Sequence, residues 1–128
     1  MQHCVAETHN FRRSAAETGM TDDEIVRLKN FLSEKPDAGD LIKGTGGARK
    51  FRFAKPGKGK SGSYRVVTYY TAEDIPVFLM DVFAKGDQIN LSAKERVELK
   101  KELETFAQEY RNGMSERVRE LKRSEKAS

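Results

Sequence analysis

Eight basic side chains and no acidic one lie between Asp40 and Glu73: Lys43, Arg49, Lys50, Arg52, Lys55, Lys58, Lys60 and Arg65. Cations gathered in this way can hold a polyanion, and a guanidinium among them can neutralise charge that develops on a reacting phosphate. The chain carries 24 Lys/Arg against 20 Asp/Glu, which leaves 16 against 20 outside this stretch. The net charge of +4 therefore describes a mildly acidic body bearing one concentrated basic segment, Gly44 to Arg65, reading GTGGARKFRFAKPGKGKSGSYR. Such a patch is the electrostatic footprint expected for a polyanion partner, with nucleic acid the leading candidate.

Other chemistries fit less well. Gly59-Lys60-Ser61 ends like a phosphate loop, but Ala54 stands where that motif needs glycine. Gly44-x-Gly46 runs on to Arg49 where a dinucleotide fingerprint needs a third glycine, and neither segment joins a strand to a helix. His3 and His9 have no carboxylate cluster beside them and read as surface histidines, while Asp81 reads as an edge or capping residue, so no metal or other cofactor is expected. Cys4 has no activating partner in view and reads as a small buried thiol rather than a nucleophile.

The elements that must position the basic residues follow from periodicity. His3 to Ala6 is a short candidate strand. Thr8 or Asn10 is placed to cap a helix that ends at Gly19, and Thr21-Asp22-Asp23-Glu24 is a capping box opening a second one. In that second helix Ile25, Leu28, Phe31 and Leu32 recur at helical spacing, and Pro36 stops it. Leu41 and Ile42 are expected to plug a loop into the core. Arg49 to Ala54 alternates with strand period, Phe51 and Phe53 inward against Lys50 and Arg52 outward. Lys55 to Ser63 is too polar to pack, whereas Tyr64 to Thr71 and Val77 to Phe83 read as strands of an antiparallel meander. Ser92-Ala93-Lys94-Glu95 is another capping box, opening a helix with Leu99, Leu103, Phe106 and Tyr110 on one face. Asn112-Gly113 is the expected stop, leaving a domain over 1–112 and a charged tail over 113–128. The order predicts a compact α+β domain with its helices gathered on one side of the sheet.

At 128 residues this is enough chain for one modest core, and an apolar content of 37% with mean hydropathy of −0.74 makes that core thin. The lone cysteine cannot form an internal disulfide, which fits a reducing compartment. The longest apolar run, Ile75 to Ala84, is broken by Pro76 and Asp81 and is too short for a membrane span. The N-terminus lacks a signal-peptide pattern, so a cytoplasmic location is expected.

On the predicted sheet, Lys50 and Arg52 share a face, Arg65 begins the neighbouring strand, and Lys85 follows the last one. Cations converging on one face repel each other, a cost that an anionic ligand would relieve. The plain alternative is a solvated, solubilising loop. Tyr64, Tyr69, Tyr70 and Phe83 are near enough to stack on bases, and each is equally explicable as core or cross-strand packing.

The segment GDLIKGTGGARKFRFAKPGKGKSGSYRVVTYY, followed by VFLMDVFAKGDQINLSAKE, resembles the HigB branch of the RelE/ParE toxin superfamily. The likeness covers about Asp22 to Leu103, and its specific core is the pairing of GTGG-x-RK with GKGK-SG-x-YR. It implies a RelE-like fold: two N-terminal helices packed on a twisted, mainly antiparallel sheet of about four strands, with a C-terminal helix. It implies the toxin of a type II toxin–antitoxin system, a ribosome-dependent endoribonuclease that cleaves translated mRNA. Its partners would be the ribosome, mRNA and a cognate antitoxin, in this branch usually a helix-turn-helix protein through which DNA is met only indirectly. By motif position, Arg65 is the catalytic arginine of the YR-Val strand, Lys85 an acid or base, and Arg52 a further catalytic cation. Arg49, Lys50, Lys55, Lys58, Lys60 and Tyr64 fall to RNA binding. Gyrase-inhibiting relatives share the fold, and a non-catalytic RNA-binding protein would use the same surface. No histidine stands in the core region, and Gly86-Asp87-Gln88-Ile89 occupies the place where relatives have a tyrosine.

Overall fold

The computed structural model describes residues 3–54, 63–84 and 92–127, with side chains along the last helix described as far as 121 except at 115 and 118. Lys55, Lys58, Lys60 and Lys85 lie outside the described residues.

The chain opens with β1 (Val5–Glu7), α1 (His9–Thr18) and α2 (Asp22–Glu34). Thr8 caps α1, its hydroxyl accepting from the Phe11 amide at 3.2 Å, and Gly19 ends that helix at φ 77°, a left-handed conformation that costs glycine little. The capping box of α2 is complete: the Glu24 amide donates to the Thr21 hydroxyl, and the Thr21 amide to the Glu24 carboxylate. Then come β2 (Asp40–Leu41), β3 (Ala48–Ala54), β4 (Ser63–Tyr69), β5 (Val77–Ala84) and α3 (Ala93–Ala127).

The strands form one five-stranded sheet in the order β1-β5-β4-β3-β2. The β3-β4-β5 meander is antiparallel, and β1 adds parallel to β5, Val5 opposite Val77. Only the first-strand pairing is parallel, because α1 and α2 must cross the sheet before the chain returns.

Each face of the sheet has its own core. Phe11, Ala15, Leu28 and Leu32 of α1 and α2 pack on Tyr64, Val66, Val77, Leu79 and Val82, with Phe51 and Phe53 at the margin. On the other face Leu103 and Ala107 of α3 pack on Ala48, Val67, Tyr69, Ile75 and Phe78. Phe78 meets Phe106 and Tyr110 edge-on, with ring centroids 4.6 and 5.6 Å apart. The helices are therefore not gathered on one side. Alternating strands are apolar on both faces here, so each face demands cover.

Three further expectations are corrected. Ile42 is buried but Leu41 is 58% exposed, so only one of the pair plugs the core. Cys4 is exposed. The helix does not stop at Asn112-Gly113: α3 spans 35 residues, about 52 Å of rise. A lone glycine costs a helix only about 1 kcal/mol, which the long run of good helix formers outweighs.

Candidate functional site

The GTGG motif is built first, because it carries the chain into β3. Thr45 is buried, donates its hydroxyl to the Ile42 carbonyl at 2.6 Å and accepts from the Ala48 amide at 3.2 Å. Gly47 sits at φ 142°, and a side chain there would drive its Cβ to 2.3 Å from Thr71 Cγ2. Gly44 and Gly46 run beside the stems of Arg96 and Lys100 on α3. The motif is thus a tight turn pressed between β4's exit and α3. It positions β3 and presents no cradle for a phosphate.

From Ala48 onward β3 alternates, and its register with β4 is continuous: Lys50 opposite Val67, Arg52 opposite Arg65, Ala54 opposite Ser63. Arg65 in turn lies opposite Phe83 on β5. Val67 and Ala48 belong to the core beneath α3, so Lys50, Arg52 and Arg65 share that same sheet face. Lys50 and Arg52 are exposed and Arg65 is half-buried. The core side chains of α3 pack at the Ala48–Tyr69–Phe78 end of this face, and the basic residues occupy the other end.

Directly opposed residues on antiparallel strands have Cβ atoms about 4.5–5.5 Å apart, a spacing at which like charges destabilise the sheet. Arg52 and Arg65 are so opposed, and among the described residues neither forms an ion pair with a carboxylate. Arg65 makes one long hydrogen bond, Nη1 to the Ser63 hydroxyl at 3.4 Å. The arrangement is a cationic platform suited to a phosphodiester, with a guanidinium able to bind two of its oxygens at once.

Two residues assigned to RNA binding lie elsewhere. Tyr64 is 1% exposed on the α1/α2 face, where its hydroxyl donates to the Glu24 carboxylate at 2.9 Å. Burial first, and then that hydrogen bond, push its pKa up to about 12. It cannot stack on a base. Arg49 shares the face of Phe51 and Phe53, and its Nη1 donates to the Gly39 carbonyl at 3.3 Å, pinning the α2–β2 connection. Tyr69 is likewise buried, and the Tyr70 ring packs edge-on against His3. Of the four aromatics, Tyr69 and Phe83 share the cationic face, Tyr69 buried beneath α3 and Phe83 half-buried opposite Arg65.

Asp81 is not the edge or capping residue that its sequence context suggested: it stands on an interior strand opposite Val67 and belongs to this face. Val82 and Leu79 both point into the α1/α2 core, with two residues between them rather than one. The β4–β5 register shifts there, so that Val67 pairs with Asp81 and Thr68 with Leu79, leaving Met80 as the extra residue of a β-bulge. Met80 packs into the α3 core, and Asp81, opposite Val67, falls on that same side. The signal available in the sequence was a charged residue inside an otherwise apolar strand.

Fold and surface together define a small α+β protein with a cationic strand face. Residues 4–127 match the family model of RelE, the RelE toxin of the RelE/RelB toxin–antitoxin system, and the chain belongs to that family. Among solved structures it is similar to a double arginine-to-alanine mutant of the E. coli toxin RelE in the free state. That alignment has 17% identity and a TM-score of 0.45, covering 64% of this chain and 82% of the other. Family membership makes the chain a toxin-type protein with an antitoxin as its implied partner.

Proposed function

We propose that the protein is a ribosome-dependent endoribonuclease of the HigB type, which cleaves translated mRNA and is held inactive by a helix-turn-helix antitoxin in the cytoplasm. The observation that carries this reading is the Arg52–Arg65 pair, opposed across neighbouring strands on one sheet face and, among the described residues, in no ion pair with a carboxylate. In the proposed reaction a ribose 2′-oxygen attacks the adjacent phosphorus as its proton passes to a base. The bond from phosphorus to the 5′-oxygen breaks, and that oxygen takes up a proton, leaving a 2′,3′-cyclic phosphate and a 5′-hydroxyl. The step needs no metal, provided fixed cations meet the charge gathering on the non-bridging oxygens.

Arg65, half-buried and restrained by Ser63, is the bidentate donor to that charge, and Arg52 shares it from the next strand. Lys85 delivers the proton to the leaving oxygen. Lys50 binds a flanking phosphate, while Lys55, Lys58 and Lys60 grip ribosomal RNA.

Induced expression is expected to arrest growth, and Arg65→Ala to relieve the arrest. Primer extension on a translated message should reveal cuts only when ribosomes are present, with Arg65→Ala slowing cleavage by on the order of 10²–10³-fold. Undiminished cleavage by Arg65→Ala would sink the mechanism. Intact messages together with inhibited DNA supercoiling would instead identify a gyrase poison.

A further inference from the structure

We infer that Asp81 is the general base that removes the proton from the attacking 2′-hydroxyl; this rests on the endoribonuclease reading. The β-bulge at Met80 is what brings Asp81 to the cationic face, since strict alternation from Leu79 would have turned it into the α1/α2 core. Bulges commonly re-aim a side chain next to an active site. A carboxylate on the same sheet face as Lys50, Arg52 and Arg65 repels the RNA backbone, so on a surface suited to phosphate it has to meet some other part of the nucleotide.

The geometry points to the 2′-hydroxyl. Asp81 is the diagonal cross-strand neighbour of Arg65, which pairs with Phe83, and such diagonal positions are about 7–8 Å apart. Two side chains rising from that separation can reach adjacent atoms of a single linkage, Arg65 the phosphate and Asp81 the hydroxyl. Asp81 Oδ1 accepts from the Val82 amide at 2.9 Å, which sets the carboxylate's orientation and leaves Oδ2 to take a proton. Among the described residues it forms no ion pair. The 2′-oxygen gives its proton to Oδ2 as its lone pair closes on phosphorus, and the proton lost from Asp81 afterwards goes to solvent.

The test uses the full-length protein on programmed ribosomes with two messages, one all-ribose and one carrying 2′-deoxyribose at the cut site. Asp81→Asn keeps the shape and the acceptor for Val82, and Asp81→Glu keeps the base. The expected result is that Asp81→Asn lowers the single-turnover cleavage rate about 10²–10⁴-fold. Its affinity for the uncleavable message should be unchanged or tighter, its melting temperature unaltered, and Asp81→Glu should recover part of the rate. Cleavage by Asp81→Asn at the parental rate would overturn the assignment, as would a parallel loss of affinity and cleavage. If the parent protein itself cuts no message, the endoribonuclease reading fails, an outcome distinct from either.

Discussion

Arg52 and Arg65 are like charges directly opposed across two strands, and the cost of that to stability can be measured. Removing either charge relieves a cross-strand repulsion worth roughly 0.2–1 kcal/mol. Arg65→Ala is therefore expected to melt at or slightly above the parental temperature even as it loses toxicity, a combination that thermal denaturation and a growth assay read separately. A fall of several degrees would show that Arg65 serves the fold. Tyr64 gives the opposite case. Its pKa is raised to about 12 by burial and by Glu24, whereas in the unfolded chain it titrates near its ordinary 10.0. The folded state thus retains a proton that the unfolded state releases, so this contribution is fully present below pH 10 and is lost as pH rises towards 12. A shift of that size corresponds to about 2–3 kcal/mol. Denaturant midpoints measured across this range should fall in the parent and fall less in Tyr64→Phe.

At the scale of the element, the turn before β3 and the long helix α3 decide whether the cationic platform exists. Gly47→Ala would put a Cβ against Thr71 at a backbone angle that side chains rarely adopt, and a cost of about 1–3 kcal/mol is expected in chemical denaturation. Because Gly47 feeds directly into β3, the change should also disturb the Arg52–Arg65 register. α3 divides in two. Its first half carries Leu103 and Ala107 into the core and is tied to the β4–β5 turn by Arg111, whose guanidinium grips Asp74 at 2.8 and 3.0 Å and holds that carboxyl below its usual range. Beyond Arg111, Met114 and Leu121 are exposed. Leu103→Ala should accordingly cost about 2–5 kcal/mol, whereas ending the chain after residue 113 should shift the melting temperature much less. A large loss on truncation would mean that the distal half packs on the body.

For the whole molecule, charge distribution matters more than charge total. A net +4 spread evenly would bind RNA weakly, but here the platform concentrates it beside a mildly acidic remainder. Association with single-stranded RNA should fall with salt, the logarithmic slope being about −0.7 for each phosphate neutralised. Replacing Lys50 by Gln should flatten that slope by about this amount and weaken all sequences alike. No described helix is long and apolar enough to cross a membrane.

Much of the architecture was legible because it depends on local chemistry. The capping boxes at Thr21 and Ser92, the left-handed glycine at Gly19 and the alternation of β3 are each settled within a few residues, and all three stand in the structure. So is the concentration of charge between Asp40 and Glu73. What local pattern could not settle was sidedness. Tyr64 and Arg65 are neighbours in sequence and point to opposite faces, so which one joins the other cations and which one the core depended on register and on where the helices pack. α3 chose the second face because Phe78, Val67 and Tyr69 left apolar area there, a consequence of strands that are apolar on both sides. The bulge at Met80 shifted the period of β5 by one residue and turned Asp81 outward among the cations, an effect of pairing with β4 that β5 alone does not encode. The sequence by itself determined the elements and the place of the charge. Only the tertiary structure decided which side chains share a face, because side-chain direction in a strand is fixed by register and cover rather than by residue type.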